Sequence, residues 1–180
     1  MASMKSSQRH PPLDTPRKEE IVERTFELVR ERGFAGLRMR QIAERVGVTE
    51  GALYRHFPSK EAILLALIDR MEGRLLGPIR RIASRPDLPP RRKLEEILRH
   101  HLRTVIEARS VPLLLIGEAA LTENDEVRLQ VRGLLSSYLG ILESIVRETG
   151  NCGRFEPRKL AVHVLGHHAA RALCQRTLSE

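Results

Sequence analysis

Hydrophobic positions recur along this chain at helical spacing, in runs separated by residues that turn or stop a helix. The first run places Ile21, Val22, Thr25, Phe26, Leu28 and Val29 on one face. Thr15 supplies an N-cap hydroxyl and Pro16 the first helical position, with Glu19, Glu20 and Glu23 near the positive end of the helix dipole. Gly33 closes that helix. A short helix fits Met39 to Val46, broken by Gly47, and another fits Glu50 to Phe57, stopped by Pro58. Ser59 caps a longer one running to about Leu76, with Glu61 in its first turn, and Gly77-Pro78 marks a break or a kink.

A proline-rich connector spans Arg85 to Pro90. Helical patterns then cover Arg91 to Ala108, Pro112 to Leu121, Asn124 to Glu148 and Pro157 to Leu178, with Gly150 punctuating the last gap. No segment alternates apolar and polar residues over a strand's length, and no repeat is visible. The pattern predicts an all-α fold of about eight helices. It divides into a disordered tail over 1–15, an N-terminal three-helix unit over 16–62 and a C-terminal helical bundle over 63–180.

Composition narrows this picture. Aromatic residues make up 3% with no Trp, so Leu, Ile, Val and Ala must build the core, which favours packed helices over a sandwich of strands. The net charge of +8 and pI near 10.3 raise the expectation of a polyanionic partner. Val111 to Leu121, the longest apolar stretch, is interrupted by Pro112, Gly117 and Glu118 and is shorter than the roughly 20 residues a membrane span needs. Cys152 and Cys174 are too few for a disulfide framework and no secretory signal is evident, so the cytoplasm is the expected location and no membrane partner is expected.

The segment from Gln41 to Phe57 has the spacing of a helix-turn-helix. Ala43 is small enough for two helices to cross closely, and Gly47 supplies the turn, where positive φ is inexpensive. Ile42, Val46, Val48 and Leu53 are apolar and face a core. Thr49 caps the following helix and leaves its first amides near DNA phosphates. That helix is then free to enter a major groove.

Gly33-Phe34, Gln41-Ile42-Ala43, Val46-Gly47-Val48 and the run Leu53-Tyr54-Arg55-His56-Phe57-Pro58-Ser59-Lys60 together resemble the DNA-binding signature of TetR-family repressors. The resemblance covers about Arg17 to Leu67 and is architectural beyond it. It implies that Thr49, Tyr54, His56 and Lys60 hold backbone phosphates, and that Arg40, Glu50, Gly51 and Arg55 lie at or near base edges. One position departs from the pattern: Leu37-Arg38-Met39 stands where family members carry Thr or Ser before the second helix. The loss removes a hydroxyl cap worth about 1 kcal/mol.

Histidines gather at His100-His101 and at His163, His167 and His168. His163 and His167 share a helical face, but no acidic or cysteine partner stands at fixed spacing, so no metal or cofactor is expected. These histidines fit the lining of a ligand cavity or a subunit interface better. No Ser/His/Asp set, phosphate-binding glycine loop or paired carboxylates support an enzyme.

The expectation is a homodimeric repressor on a palindromic operator, with recognition helices about 34–36 Å apart. A small apolar effector would sit among the segments at 91–108, 112–121 and 124–148. Ala161, Gly166, Ala169, Ala170 and Ala172 suit a dimer interface or close packing within the protein's own core, and the final helix usual in the family is not evident, which brings Asn124 to Glu148 forward as a contributor to the dimer. The alternative is an effector-independent DNA-binding protein whose C-terminal domain recruits a protein partner. The run from Leu53 to Lys60 also resembles that of nucleoid-occlusion regulators in the same family.

Overall fold

Helix α1 (Pro16–Arg32) begins where Pro16 fixes φ, and it buries Ile21, Val22, Thr25, Phe26, Leu28 and Val29. These are the residues whose spacing marked the face. Thr25 satisfies its hydroxyl inside the helix, donating to the Ile21 carbonyl at 2.7 Å. Gly33, at φ 78°, ends the helix. The computed structural model describes residues 16–150, apart from 35, 109 and 110, together with 159. The tail at 1–15 with its Thr15 cap, the pattern from Pro157 to Leu178, both cysteines, and His163, His167 and His168 lie outside the described residues.

Seven helices follow one another, with no strand among the described residues. After α1 come α2 (Met39–Val46), α3 (Glu50–His56), α4 (Lys60–Ala83), α5 (Pro90–Glu107), α6 (Val111–Leu121) and α7 (Asp125–Glu148). Side-chain caps start α3, α4 and α7. Ser59 accepts from the Ala62 amide at 3.2 Å to start α4, and Asn124 accepts from the Val127 amide at 3.1 Å to start α7.

The expected end near Leu76 is overturned: α4 continues through Gly77 and Pro78 to Ala83. Proline removes the bond to the carbonyl four residues earlier, here that of Arg74. The Nε2 of His100 on α5 lies 3.3 Å from that oxygen and can donate to it. A contact remote in sequence therefore fills the gap that Pro78 opens.

The packing forms two connected layers. One apolar cluster joins α1, α2 and α3 to Ile63, Leu64 and Leu67 of α4, and continues through Val111, Leu115 and Ala119 of α6 to Val127 and Val131 of α7. The second gathers Leu75, Leu76 and Ile79 of α4, Ile97 of α5, and Tyr138, Leu142 and Ile145 of α7. Each fully buried Leu or Ile contributes roughly 1.5–3 kcal/mol. Tyr138 stacks on His101, with ring centroids 5.4 Å apart and planes within 5°. Burial pushes its phenol above the ordinary value. The two adjacent histidines thus meet different neighbours: His100 faces α4, and His101 is buried against α7.

Polar contacts also tie α1 to α4. Glu23 pairs with Arg70 and, at 3.5 Å, with Arg74, whose guanidinium lies 5.5 Å from the centre of the Phe26 ring.

Candidate nucleic-acid interface

Helix α2 starts without a side-chain acceptor at its N-cap, because the Arg38 guanidinium has none to offer. Gln41 offsets this in part. Its Oε1 accepts from the Arg38 amide at 2.9 Å, the returning half of a capping box. The missing hydroxyl is real, but the helix start is not bare. Leu37 is buried and Arg38 exposed, which leaves the arginine head in solvent.

Gly47 closes α2 with φ 75° and ψ 39°. Its amide reaches the Glu44 carbonyl at 3.3 Å, and the Val48 amide reaches that of Ala43 at 3.0 Å. This is a Schellman ending, which a residue with Cβ adopts only under strain. Thr49 then caps α3, its Oγ1 accepting from the Ala52 amide at 3.2 Å. The turn is therefore held from both sides. Ile42, Val46 and Leu53 are buried between the helices with the small Ala43, whereas Val48, also expected to face the core, is only partly buried against it.

What remains outside is one polar face. Thr49, Glu50, Gly51, Tyr54 and Arg55 are exposed along α3, while Leu53 and Phe57 are buried on its opposite side. Tyr54 keeps 45% of its surface in solvent, unusual for a tyrosine whose neighbours at 53 and 57 are core. A Cβ on Gly51 would meet nothing within 4 Å and its φ is not positive, so the fold does not require glycine there.

Arg40 projects from α2 with 78% of its side chain exposed, and its Nε bonds Glu44 Oε1 at 2.9 Å. An exposed i,i+4 pair of this kind contributes about 0.3–0.5 kcal/mol, little to surrender to a phosphate or a base. His56 is half-buried at the end of α3. Lys60, in the first turn of α4, holds its Nζ 4.6 Å from the centre of the Phe34 ring. Sequence reading missed Glu44 as the partner of Arg40 and Glu31 as the partner of Arg45, which ties α2 to α1. The four-residue spacing of 40 and 44 was a legible signal; the second pair spans fourteen residues and was not.

Two helices crossing at a capped glycine turn, with the second presenting an unpartnered polar face, define a helix-turn-helix DNA-binding regulator of transcription. Residues 21–67 match the family described as bacterial regulatory proteins, tetR family. The chain belongs to the TetR family. It is similar to the nucleoid occlusion factor SlmA of Vibrio campbellii (strain ATCC BAA-1116), with 32% identity over 160 residues, 84% of this chain and 80% of that protein. Among solved structures, a TetR transcriptional regulator from Legionella pneumophila aligns with a TM-score of 0.79 at 15% identity, over 92% of this chain and 90% of that one. AibR, solved in complex with isovaleryl coenzyme A and operator DNA, aligns with a TM-score of 0.71 at 23% identity, over 85% and 84%. Both likenesses concern the fold.

Proposed function

We infer that the protein is a homodimeric repressor whose two heads bind successive major grooves of a palindromic operator. The carrying observation is the exposed face of α3, fixed by the Gly47 turn and the Thr49 cap. In this reading residues 16–62 form the DNA-binding head, and residues 63–180 carry dimerisation and response. Thr49, Tyr54, His56 and Lys60 grip phosphates. Arg40, Glu50, Gly51 and Arg55 lie toward base edges, with Arg40 the reader of a guanine.

Helix α7 supports the dimer. Gly133, Ser136, Gly140 and Ser144 make one small-residue face, and Leu129 beside them keeps 66% of its surface in solvent. Such a face allows close approach of another helix and leaves an apolar side chain to cover. A groove of about 450 Å³ opens between α4 and α7 on the same side, lined by Arg80, Ser136, Ser137, Gly140, Ser144 and Glu148 among others.

An effector would act by favouring one spacing of the heads. The structure of AibR with isovaleryl coenzyme A and operator DNA supports a small-molecule effector. The second reading, a DNA-binding protein that recruits a protein partner, is supported by the identity to a nucleoid occlusion factor. Neither reading includes a catalytic step.

Selection of bound sequences from random duplex DNA tests the main conclusion. The expected result is a two-fold symmetric site with half-sites one or more helical turns apart. A single asymmetric half-site would overturn the two-headed reading.

A further inference from the structure

The positive charge of this protein is concentrated away from the candidate DNA interface. Between residues 80 and 103 stand eight Lys or Arg against three Asp or Glu, a surplus of five in a chain whose total is +8. This is the distal end of α4, the connector and most of α5. Helix α4 begins beside the head at Lys60 and spans about 36 Å, so Arg81 and Arg85 lie far from the recognition helix.

On α5 the cations form a stripe. Arg92, Arg99, Arg103 and Ile106 are separated by seven, four and three residues, so they share one helical face, and all four are exposed. Arg85, in the connector after α4, reaches Glu96 of α5 at 3.6 Å, which sets Arg85 beside the stripe. Arg92 bonds Glu95 at 2.9 Å. Among the described residues Arg99 and Arg103 make no ion pair.

Local stability does not explain the arrangement. Arg91, Arg92 and Lys93 occupy the first turn of α5, at the positive end of its dipole, and that turn holds no acidic residue. Arg99 and Arg103 are like charges four apart on a helix, which repel. Both placements work weakly against the helix that carries them, and leave Arg99 and Arg103 presented to solvent. Ile106, 54% exposed at the end of the stripe, adds an apolar point to the charged row.

We propose that the exposed face of α5 at Arg92, Arg99, Arg103 and Ile106 is a docking surface for an acidic segment of a partner protein that also carries an apolar side chain. Charge complementarity sets the sign of the partner. Ile106 favours a peptide over a nucleic-acid duplex, since a phosphate backbone gains nothing from an exposed isoleucine whereas an apolar side chain of a peptide can cover it. The inference stands whether or not the operator is palindromic.

The test titrates full-length protein into a fluorescein-labelled synthetic peptide of alternating Glu and Leu, read by anisotropy at physiological salt. Saturable binding is expected, with the affinity reduced about tenfold or more in R92E/R99E/R103E. Ile106→Asp should weaken it as well, and a Glu-Ser peptide should bind less tightly than Glu-Leu. Circular dichroism checks the fold of each variant. If the charge reversal unfolds α5, R92Q/R99Q/R103Q replaces it, with the same loss expected. Equal affinity in wild type and arginine variants overturns the proposal, and so does indifference to both Ile106 and the peptide's leucines. A second DNA site is the remaining outcome. In protein with Arg40, Tyr54 and Lys60 changed to Ala, residual duplex binding that the charge reversal removes would overturn the assignment to a protein partner. Operator binding is read separately, so its failure and the failure of this proposal are distinguishable.

Discussion

The Nε2 of His100 lies 3.3 Å from the carbonyl oxygen of Arg74, the acceptor that Pro78 leaves without its amide. A carbonyl only accepts, so the hydrogen bond places the ring proton on Nε2. Thr104 holds the same turn of α5, its hydroxyl donating to the His100 carbonyl at 2.9 Å. Replacing His100 by Ala should therefore lower stability by about 0.5–1.5 kcal/mol. The informative measurement is a double-mutant cycle with Pro78→Ala, followed by urea unfolding. Restoring the amide at 78 should shrink the cost of losing His100, and strict additivity would refute the link.

Arg40 separates stability from recognition. Its side chain pairs with Glu44 on an exposed surface, so Arg40→Ala should leave the melting temperature nearly unchanged. Operator affinity should fall by about 1–3 kcal/mol, with relaxed preference at one base pair per half-site. Competition against single-base operator variants reads this out. Uniform weakening over every variant would make Arg40 a backbone contact instead.

Tyr54 and Lys60 should behave differently from Arg40. Tyr54→Phe and Lys60→Ala are expected to weaken binding to all duplexes alike, and the lysine change should lower the salt slope by about one. Because Lys60 also lies over Phe34, its removal should cost about 0.5–1 kcal/mol of stability as well. A loss confined to one sequence would contradict the phosphate role of either residue.

Gly51 offers a test with opposite signs. Nothing in the protein would touch an added methyl, and alanine is the better helix former by roughly 0.5–1 kcal/mol. Gly51→Ala should raise or preserve thermal stability while weakening operator binding, if the groove approaches the helix there. Unchanged affinity would remove Gly51 from the interface.

The DNA-binding head was the most legible part of the chain. Its apolar spacing, the Gly47 turn and the Thr49 cap are local signals, and each appears where the residues placed it. What escaped was non-local. Nothing near Gly77-Pro78 announces that His100, twenty-six residues from Arg74, supports the carbonyl there. The cap on α2 was half legible: the hydroxyl is missing at Arg38, and the returning Gln41 supplies the other half. The basic row on α5 was readable as composition, but only the burial pattern shows that Arg92, Arg99 and Arg103 share an outward face.

The continuity of α4 through Pro78 has a mechanical consequence. An unbroken rod of about 36 Å is a long moment arm fastened to the head by Glu23, Arg70 and Arg74. A tilt of about 5° pivoting at Ala83 sweeps the Lys60 end, beside the head, through about 3 Å, close to the 3.4 Å between successive nucleotides along a strand. A hinge at Gly77 would have absorbed that motion within the body of the protein. In the proposed complex with DNA, the continuous helix would instead carry it to the groove as a misregister of nearly one base pair.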